Sequence, residues 1–288
     1  MRLRADLHNH SCLSPCADLS MSPRLMAKTA KARGIDILAL TDHNASLNCP
    51  AFAIACAAEG IIPLFGMEMN SSEEVHCLAL FATPRDALAF GADMEALLPD
   101  LPWDPAAFGD QAVVDENDDV LELYEGWLGA ALDVDLDTLA EKAKKAGAII
   151  IPAHVDRGMF SVYSQLGFLP PGPWDAVESL GEPPPALRGG HSSISGSDAH
   201  FPEHLGRRPF VADIDAAIVL ELKDALEHYS KTIAQAKPVS EDGEYGGYAG
   251  LLADPRLDLY PEAEARRFFE ELRKALRSGK TIPTRPNG

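Results

Sequence analysis

Short apolar runs, each ending in a polar or charged side chain, alternate along this chain with segments whose apolar positions recur every three or four residues. That is the rhythm of strands and helices in a mostly parallel sheet. Strands are predicted at 2–8, 35–41, 61–69, 75–81, 148–153, 175–179, 193–197 and 207–213, with helices between most of them. Ser22-Pro23 opens one helix with proline in its first turn, Gly34 closes it, and Pro50 opens the next. The order suggests a barrel. One connection breaks the rhythm, because only Asn70 to Glu74 separates the third strand from the fourth. A parallel crossover needs about ten or more residues, so these two strands are expected to form an antiparallel hairpin.

A second hairpin is expected at 111–124, around the turn Asn117-Asp118-Asp119. The stretch 232–255, with Gly-Glu-Tyr-Gly-Gly-Tyr-Ala-Gly inside it, has the chemistry of an inserted loop. Phe268, Leu272 and Leu276 repeat at helical spacing within 261–278, which predicts a terminal helix packed back on the barrel. No clear boundary divides the chain, so residues 1–288 are read as a single domain.

Composition narrows the field. A chain of 288 residues with 46% hydrophobic content is long enough for a sizeable core and rules out a disordered or fibrous protein. The formal charge of −19 makes the bulk surface repel phosphate backbones, so sequence-independent binding of long nucleic acid is not expected. The start, MRLRADLHNH, lacks the apolar stretch of a signal peptide, and five cysteines form no disulfide framework. Both point to the cytoplasm. No apolar run is long enough to span a membrane.

The candidate chemistry sits at the predicted strand ends, where a barrel builds its active site. His8 and His10, two apart on a strand, project from one face and can share a metal ion. Asp18 follows in the next loop, and His43 ends Thr41-Asp42-His43. Glu68 ends the third strand, and the expected hairpin folds His76 back beside it. His154 closes a fifth strand, while Asp198 and His200 close Gly-Ser-Asp-Ala-His. Together these nine side chains suffice for three metal ions. Nitrogen and oxygen donors without a thiolate suit manganese, iron or zinc.

Other residues have plainer readings. Cys12 and Cys16 read as small packing residues, and Cys77, alternating with His76, should point away from the site. Asp6 and Asp42 read as acceptors for imidazole N–H groups. His204 is either a substrate contact or a surface histidine, and His191 and His228 have no assigned role. The acidic run Asp115 to Asp119 lacks the spacing of a calcium loop and reads as a solvated turn.

The ordered motifs Asp6-Leu7-His8-Asn9-His10, Asp18, Leu40-Thr41-Asp42-His43-Asn44, Gly66-Met67-Glu68, Val75-His76, Pro152-Ala153-His154 and Gly196-Ser197-Asp198-Ala199-His200 resemble the PHP (polymerase and histidinol phosphatase) superfamily of metal-dependent phosphoesterases, especially its stand-alone TrpH-type members. The resemblance covers residues 3 to about 214 and resumes in the terminal helix. It implies an α/β fold, a distorted (β/α)7 barrel, around a trinuclear centre. It further implies a first metal on His8, His10, Glu68 and Asp198, a second on His76 and His154 with Glu68 bridging, and a third on Asp18, His43 and His200. Arg157 matches the arginine that many members place near the substrate phosphate, a task that suits a guanidinium fork. Around Asp18 the chain departs from the family, with Cys-Ala-Asp-Leu-Ser-Met in place of the usual Ser-Asp-Gly.

The expected activity is hydrolysis of small phosphorylated molecules, phosphomonoesters or nucleotides, by a metal-activated hydroxide. Three divalent ions carry more charge than the three ligand carboxylates offset, which leaves a cationic pocket on an acidic protein. Rival readings are an exonuclease acting on short oligonucleotide ends, a barrel amidohydrolase cleaving C–N bonds, and a non-catalytic metal-binding module. The amidohydrolase usually adds a strand-end lysine, which this chain lacks. The module should have lost ligands, and none is lost.

Overall fold

The computed structural model describes residues 1–101, 103–181, 189–236 and 246–284. Eleven strands are present among them: β1 (Arg2–Asp6), β2 (Ile37–His43), β3 (Ile62–Asn70), β4 (His76–Phe81), β5 (Ala112–Val114), β6 (Val120–Leu123), β7 (Ile149–Pro152), β8 (Val177–Glu178), β9 (Ser193–Ile194), β10 (Phe210–Asp213) and β11 (Thr281–Pro283). The helices are α1 (Pro23–Ala32), α2 (Cys49–Glu59), α3 (Pro84–Glu95), α4 (Pro105–Phe108), α5 (Leu136–Lys145), α6 (Val162–Leu166), α7 (Ala216–Ile233), α8 (Gly247–Leu252) and α9 (Glu262–Arg277).

Every residue of β2, β3 and β4 is buried. Such continuous apolar runs belong to strands covered on both faces. β1, β2 and β3 are parallel, and β4 runs antiparallel to both β3 and β7. The short link after Asn70 therefore does form the expected hairpin, with Asn70 opposite His76.

Backbone hydrogen bonds carry the sheet round. Asp175 N–H donates to the Ile150 carbonyl and Val155 N–H to the Glu178 carbonyl, each at 2.8 Å, which sets β8 beside β7. β8 pairs in parallel with β9. The chain after β9 then returns to β1, with Asp198 N–H donating to the His8 carbonyl (2.9 Å) and His10 N–H to the Ala199 carbonyl (3.0 Å). The ring β1-β2-β3-β4-β7-β8-β9 is a distorted barrel of mixed α/β type, with two-residue strands where it is most irregular.

Local signals set the helices. Ser22 caps α1 by accepting from Leu25 N–H, with Pro23 at the first helical position, and Gly60 ends α2 in a left-handed conformation (φ 69°). α9 places Phe268, Phe269, Leu272 and Leu276 in the core. Glu262 and Glu264 in its first turn and Lys274 and Arg277 in its last complement the helix dipole.

Two expectations change. The segment read as a strand at 207–213 forms β10, which runs antiparallel to β1 and is flanked by β11. With no helix between His200 and Phe210, the chain cannot make a crossover and turns back on itself instead. The stretch 232–255 is not a plain inserted loop. α7 continues to Ile233, residues 237–245 lie outside the described residues, and Gly247–Leu252 is helical. Tyr248 and Leu251, three apart on one face, bury themselves with Leu13, Leu47, Leu88, Val113 and Leu128 in a second apolar cluster. That burial overrides the glycines. The Tyr248 hydroxyl also accepts from Ser46 N–H at 3.0 Å.

The 111–124 hairpin is present, its turn wound round Asp115, which accepts from the N–H groups of Asn117 and Asp119. No helix among the described residues is long and apolar enough to cross a membrane.

Phe268, buried against the barrel, sets the grip of α9. Phe268→Ala is expected to lower the unfolding free energy in urea by about 3–5 kcal/mol, whereas an α9 that is a loose appendage predicts a loss below about 1 kcal/mol.

Candidate metal centre

Because β4 runs opposite to its neighbours, its first residue lies at the same mouth as the last residues of β2 and β3. Glu68 is the hub. Its carboxylate is buried, and five imidazole nitrogens lie close to it: His76 Nδ1 at 2.8 Å, His154 Nε2 at 3.0 Å, His8 Nε2 at 3.2 Å, and His10 Nε2 and His43 Nδ1 at 3.3 Å. Asp198 Oδ1 adds contacts to His10 Nε2 (3.3 Å), His8 Nε2 (3.5 Å) and His200 Nδ1 (3.5 Å). The His200 ring stacks on His10, with centroids 4.3 Å apart.

Three donor groups overlap here: His8, His10, Glu68 and Asp198; His43, Glu68 and His76; and His10, His43 and His200. The first is the set implied for the first metal. The second takes His43 where the resemblance implied His154, although His154 reaches the same Glu68 oxygen as His76. The third takes His10 where the resemblance implied Asp18. The Asp18 carboxylate is exposed and accepts from Ser20 N–H and Oγ, while its backbone N–H donates to the His200 carbonyl. The departure from Ser-Asp-Gly supplies Ser20, the hydroxyl that turns this carboxylate away.

The donor chemistry fits bound cations. His8 Nε2 and His10 Nε2 lie 3.3 Å apart and both face the carboxylates. Ligand atoms bonded at about 2.1 Å around a tetrahedral ion sit about 3.4 Å from one another, which is the spacing found. Five imidazoles also exceed the roughly four lone-pair positions of one carboxylate. The buried Nδ1 of His154 has no partner among the described residues.

The electrostatics agree. Burial opposes charge on Glu68, yet the surrounding imidazoles, His76 and His8 foremost, hold its carboxyl well below the usual range. Burial likewise opposes charge on Asp198, and His8 and His10 drive its carboxyl far down. For His10, burial is outweighed by hydrogen bonds to Asp198 and Glu68, which hold it up at about 9. At His200 burial and the neighbouring His10 push the imidazole down to about 4, so it is a neutral donor at pH 7. The pocket keeps its carboxylates ionised and favours positive charge.

The backbone is bent to reach this arrangement. His154 (φ 30°), Asp198 (φ 48°), Asn44 (φ 49°) and Phe160 (φ 56°) adopt the left-handed region that favours glycine, at about 1–3 kcal/mol each. Their concentration in and beside the cluster is typical of a functional site. The Phe160 ring stacks on His76 at 4.9 Å and covers it.

Arg157 stands at the edge of the cluster. Its Nη1 donates to Asp198 Oδ2 at 3.1 Å, and its side chain is 40% exposed. His204 lies in the loop before β10, edge-on to Phe201. Asp42 serves an imidazole through an intermediary, accepting from the hydroxyls of Ser11 and Ser14, and Ser14 Oγ lies 3.0 Å from His10 Nδ1. Asp6 instead accepts from the backbone N–H groups of Ser197 and Gly206, tying β1 to the 197–206 segment. Cys12 and Cys77 are buried, and burial pushes the Cys12 thiol up to about 12. Cys16 is exposed.

Sequence reasoning missed Glu178. It is fully buried in β8, and its Oε2 lies 2.8 Å from His8 Nδ1. Glu178 falls inside the predicted strand 175–179, and an acidic residue within a strand was the one signal that marked it.

Among solved structures, the fold is similar to a lesion-specific endonuclease, endonuclease Q from Pyrococcus furiosus (19% identity, TM-score 0.56, 79% of this chain and 56% of that one). It is also similar to an endonuclease Q in complex with a 27-mer duplex bearing an abasic lesion at its active site (19% identity, TM-score 0.54, 79% of this chain and 57% of that one). The chain thus spans little more than half the length of either, and the likeness is one of fold. No curated protein matches it in sequence. The PHP domain family model matches residues 6–91, the segment that contributes His8, His10, His43, Glu68 and His76 to the cluster.

Proposed function

We propose that this protein is a metal-dependent phosphoesterase that hydrolyses small phosphorylated molecules, phosphomonoesters or nucleotides, at a centre of three divalent ions, manganese, iron or zinc. The observation that carries this reading is the convergence of six imidazoles and two carboxylates on one mouth with a half-exposed arginine at its edge. His8, His10, Glu68 and Asp198 would hold one ion, His76 and His154 with the shared Glu68 a second, and His43 and His200 a third. Divalent ions there supply a water of lowered pKa and positive charge for phosphoryl oxygens.

The protein's own groups do the rest. Asp198 anchors one guanidinium nitrogen of Arg157, which leaves the remaining N–H groups to orient a phosphate. Phe160 keeps water off the outer face of His76. Asp42, through Ser14, steadies the His10 ring.

A nuclease acting on short ends is the second reading, favoured by the fold shared with endonuclease Q. The charge of −19 sets it against long duplexes. An amidohydrolase finds little support, since every described lysine lies on α1, α5, α7 or α9 or just after α9, away from the cluster. The five cysteines are free and four are buried, which supports a place in the cytoplasm.

Two outcomes test this. Wild-type protein reconstituted with manganese, iron or zinc is expected to hold more than one equivalent, and Glu68→Ala to lose most of that metal together with at least about a thousandfold in kcat. A folded Glu68→Ala with wild-type turnover would end the mechanism. In a screen of phosphomonoesters, bisphosphorylated nucleotides and short RNA, Arg157→Ala is expected to lower kcat/KM by roughly ten- to hundredfold, mainly through KM, at unchanged metal content. Cyclic-amide hydrolysis without phosphoesterase activity under any metal would refute the substrate class.

A further inference from the structure

We propose that Glu178 is a positioning residue that fixes the tautomer of His8 and so presents His8 Nε2 as a lone pair to the metal cluster. The inference rests on the metal-dependent reading above. Glu178 Oε2 lies 2.8 Å from His8 Nδ1, and both side chains are buried. A carboxylate accepts and does not donate, so the proton of a neutral His8 belongs on Nδ1. Its Nε2 is then unprotonated, and this is the atom that lies 3.2 Å from Glu68, 3.5 Å from Asp198 and 3.3 Å from His10 Nε2. With the opposite tautomer, an N–H would occupy the space a metal needs.

The fold makes room for this contact. Gly196, in the segment that leaves β9 for β1, lies over the pair, and a Cβ there would come within 2.8 Å of Glu178 Cδ and 2.9 Å of His8 Cβ. Only glycine fits. Glu178 Oε1 takes no hydrogen bond among the described residues, so the side chain is not retained for a network of its own. A buried carboxylate whose one partner is an imidazole is costly unless that contact matters. The neighbouring His10 reaches the same end by another route. Ser14 donates its hydroxyl proton to Asp42 and accepts from His10 Nδ1, so the proton of a neutral His10 belongs on Nδ1 as well. Both imidazoles of the His8-Asn9-His10 motif are thus set from behind by carboxylates, one directly and one through a hydroxyl.

The test is nitrogen-15 NMR of the histidine rings in metal-free protein at a pH where His8 is neutral, joined to zinc affinity by chelator competition. Wild type is expected to show His8 protonated at Nδ1 and not at Nε2. Glu178→Gln, whose amide oxygen can still accept from Nδ1, is expected to keep that signature and an affinity close to wild type. Glu178→Ala is expected to mix the tautomers and weaken zinc binding by about 10–100-fold. Wild-type His8 protonated at Nε2, or a folded Glu178→Ala with wild-type affinity, overturns the inference alone. If Glu178→Ala does not fold, the spectra of wild type and Glu178→Gln decide, and loss of the Nδ1 signature in either counts against it. A wild type that takes up none of zinc, manganese or iron overturns the metal reading and this inference with it.

Discussion

A single buried carboxylate, Glu68, organises this molecule. Five imidazoles from four strand ends face it within 3.3 Å, and the charge balance of the pocket makes sense only when positive charge is present. Glu68 can be the hub because β3 and β4 form a hairpin, which brings the beginning of one strand to the end of the other. A purely parallel barrel would have sent His76 to the opposite mouth.

The cluster also explains where the barrel is irregular. β8 and β9 are two residues long, and the chain beside them leaves regular pairing to aim Asp198 and His200 inward. His154 and Asp198 hold left-handed backbone conformations at these turns. Regular, well-packed β2, β3 and β4 supply the rigid wall against which such strain can be held. Apolar burial elsewhere, including α9 against the barrel and Tyr248 against the Ser46 loop, stabilises a site that is itself costly to form.

Much of this was legible in the sequence, and the reasons differ by element. The β3–β4 hairpin followed from the length of one link, and the members of the cluster from polar residues at the ends of apolar runs, because a strand buried on both faces has few other places for them. The direction of β10 was not legible from apolar character, which is the same in parallel and antiparallel strands; the missing helix before it was the usable signal. α8 was hidden by its glycines, whose loop propensity was overridden by the burial of Tyr248 and Leu251. The Asp18 carboxylate turned to Ser20, a local competition that strand patterns do not report. Glu178 escaped notice because its role depends on a partner 170 residues away and on the absence of a side chain at Gly196.

The cluster around Glu68 is proposed to hold several cations. Anomalous diffraction from crystals grown with manganese, recorded on both sides of its absorption edge, tests it most directly. More than one anomalous peak is expected inside the cluster, one of them within about 2.0–2.3 Å of His8 Nε2 and His10 Nε2 and another reached by Glu68 and His76. A map without anomalous density there at saturating manganese, with the imidazoles hydrogen-bonded to Glu68 alone, would contradict it.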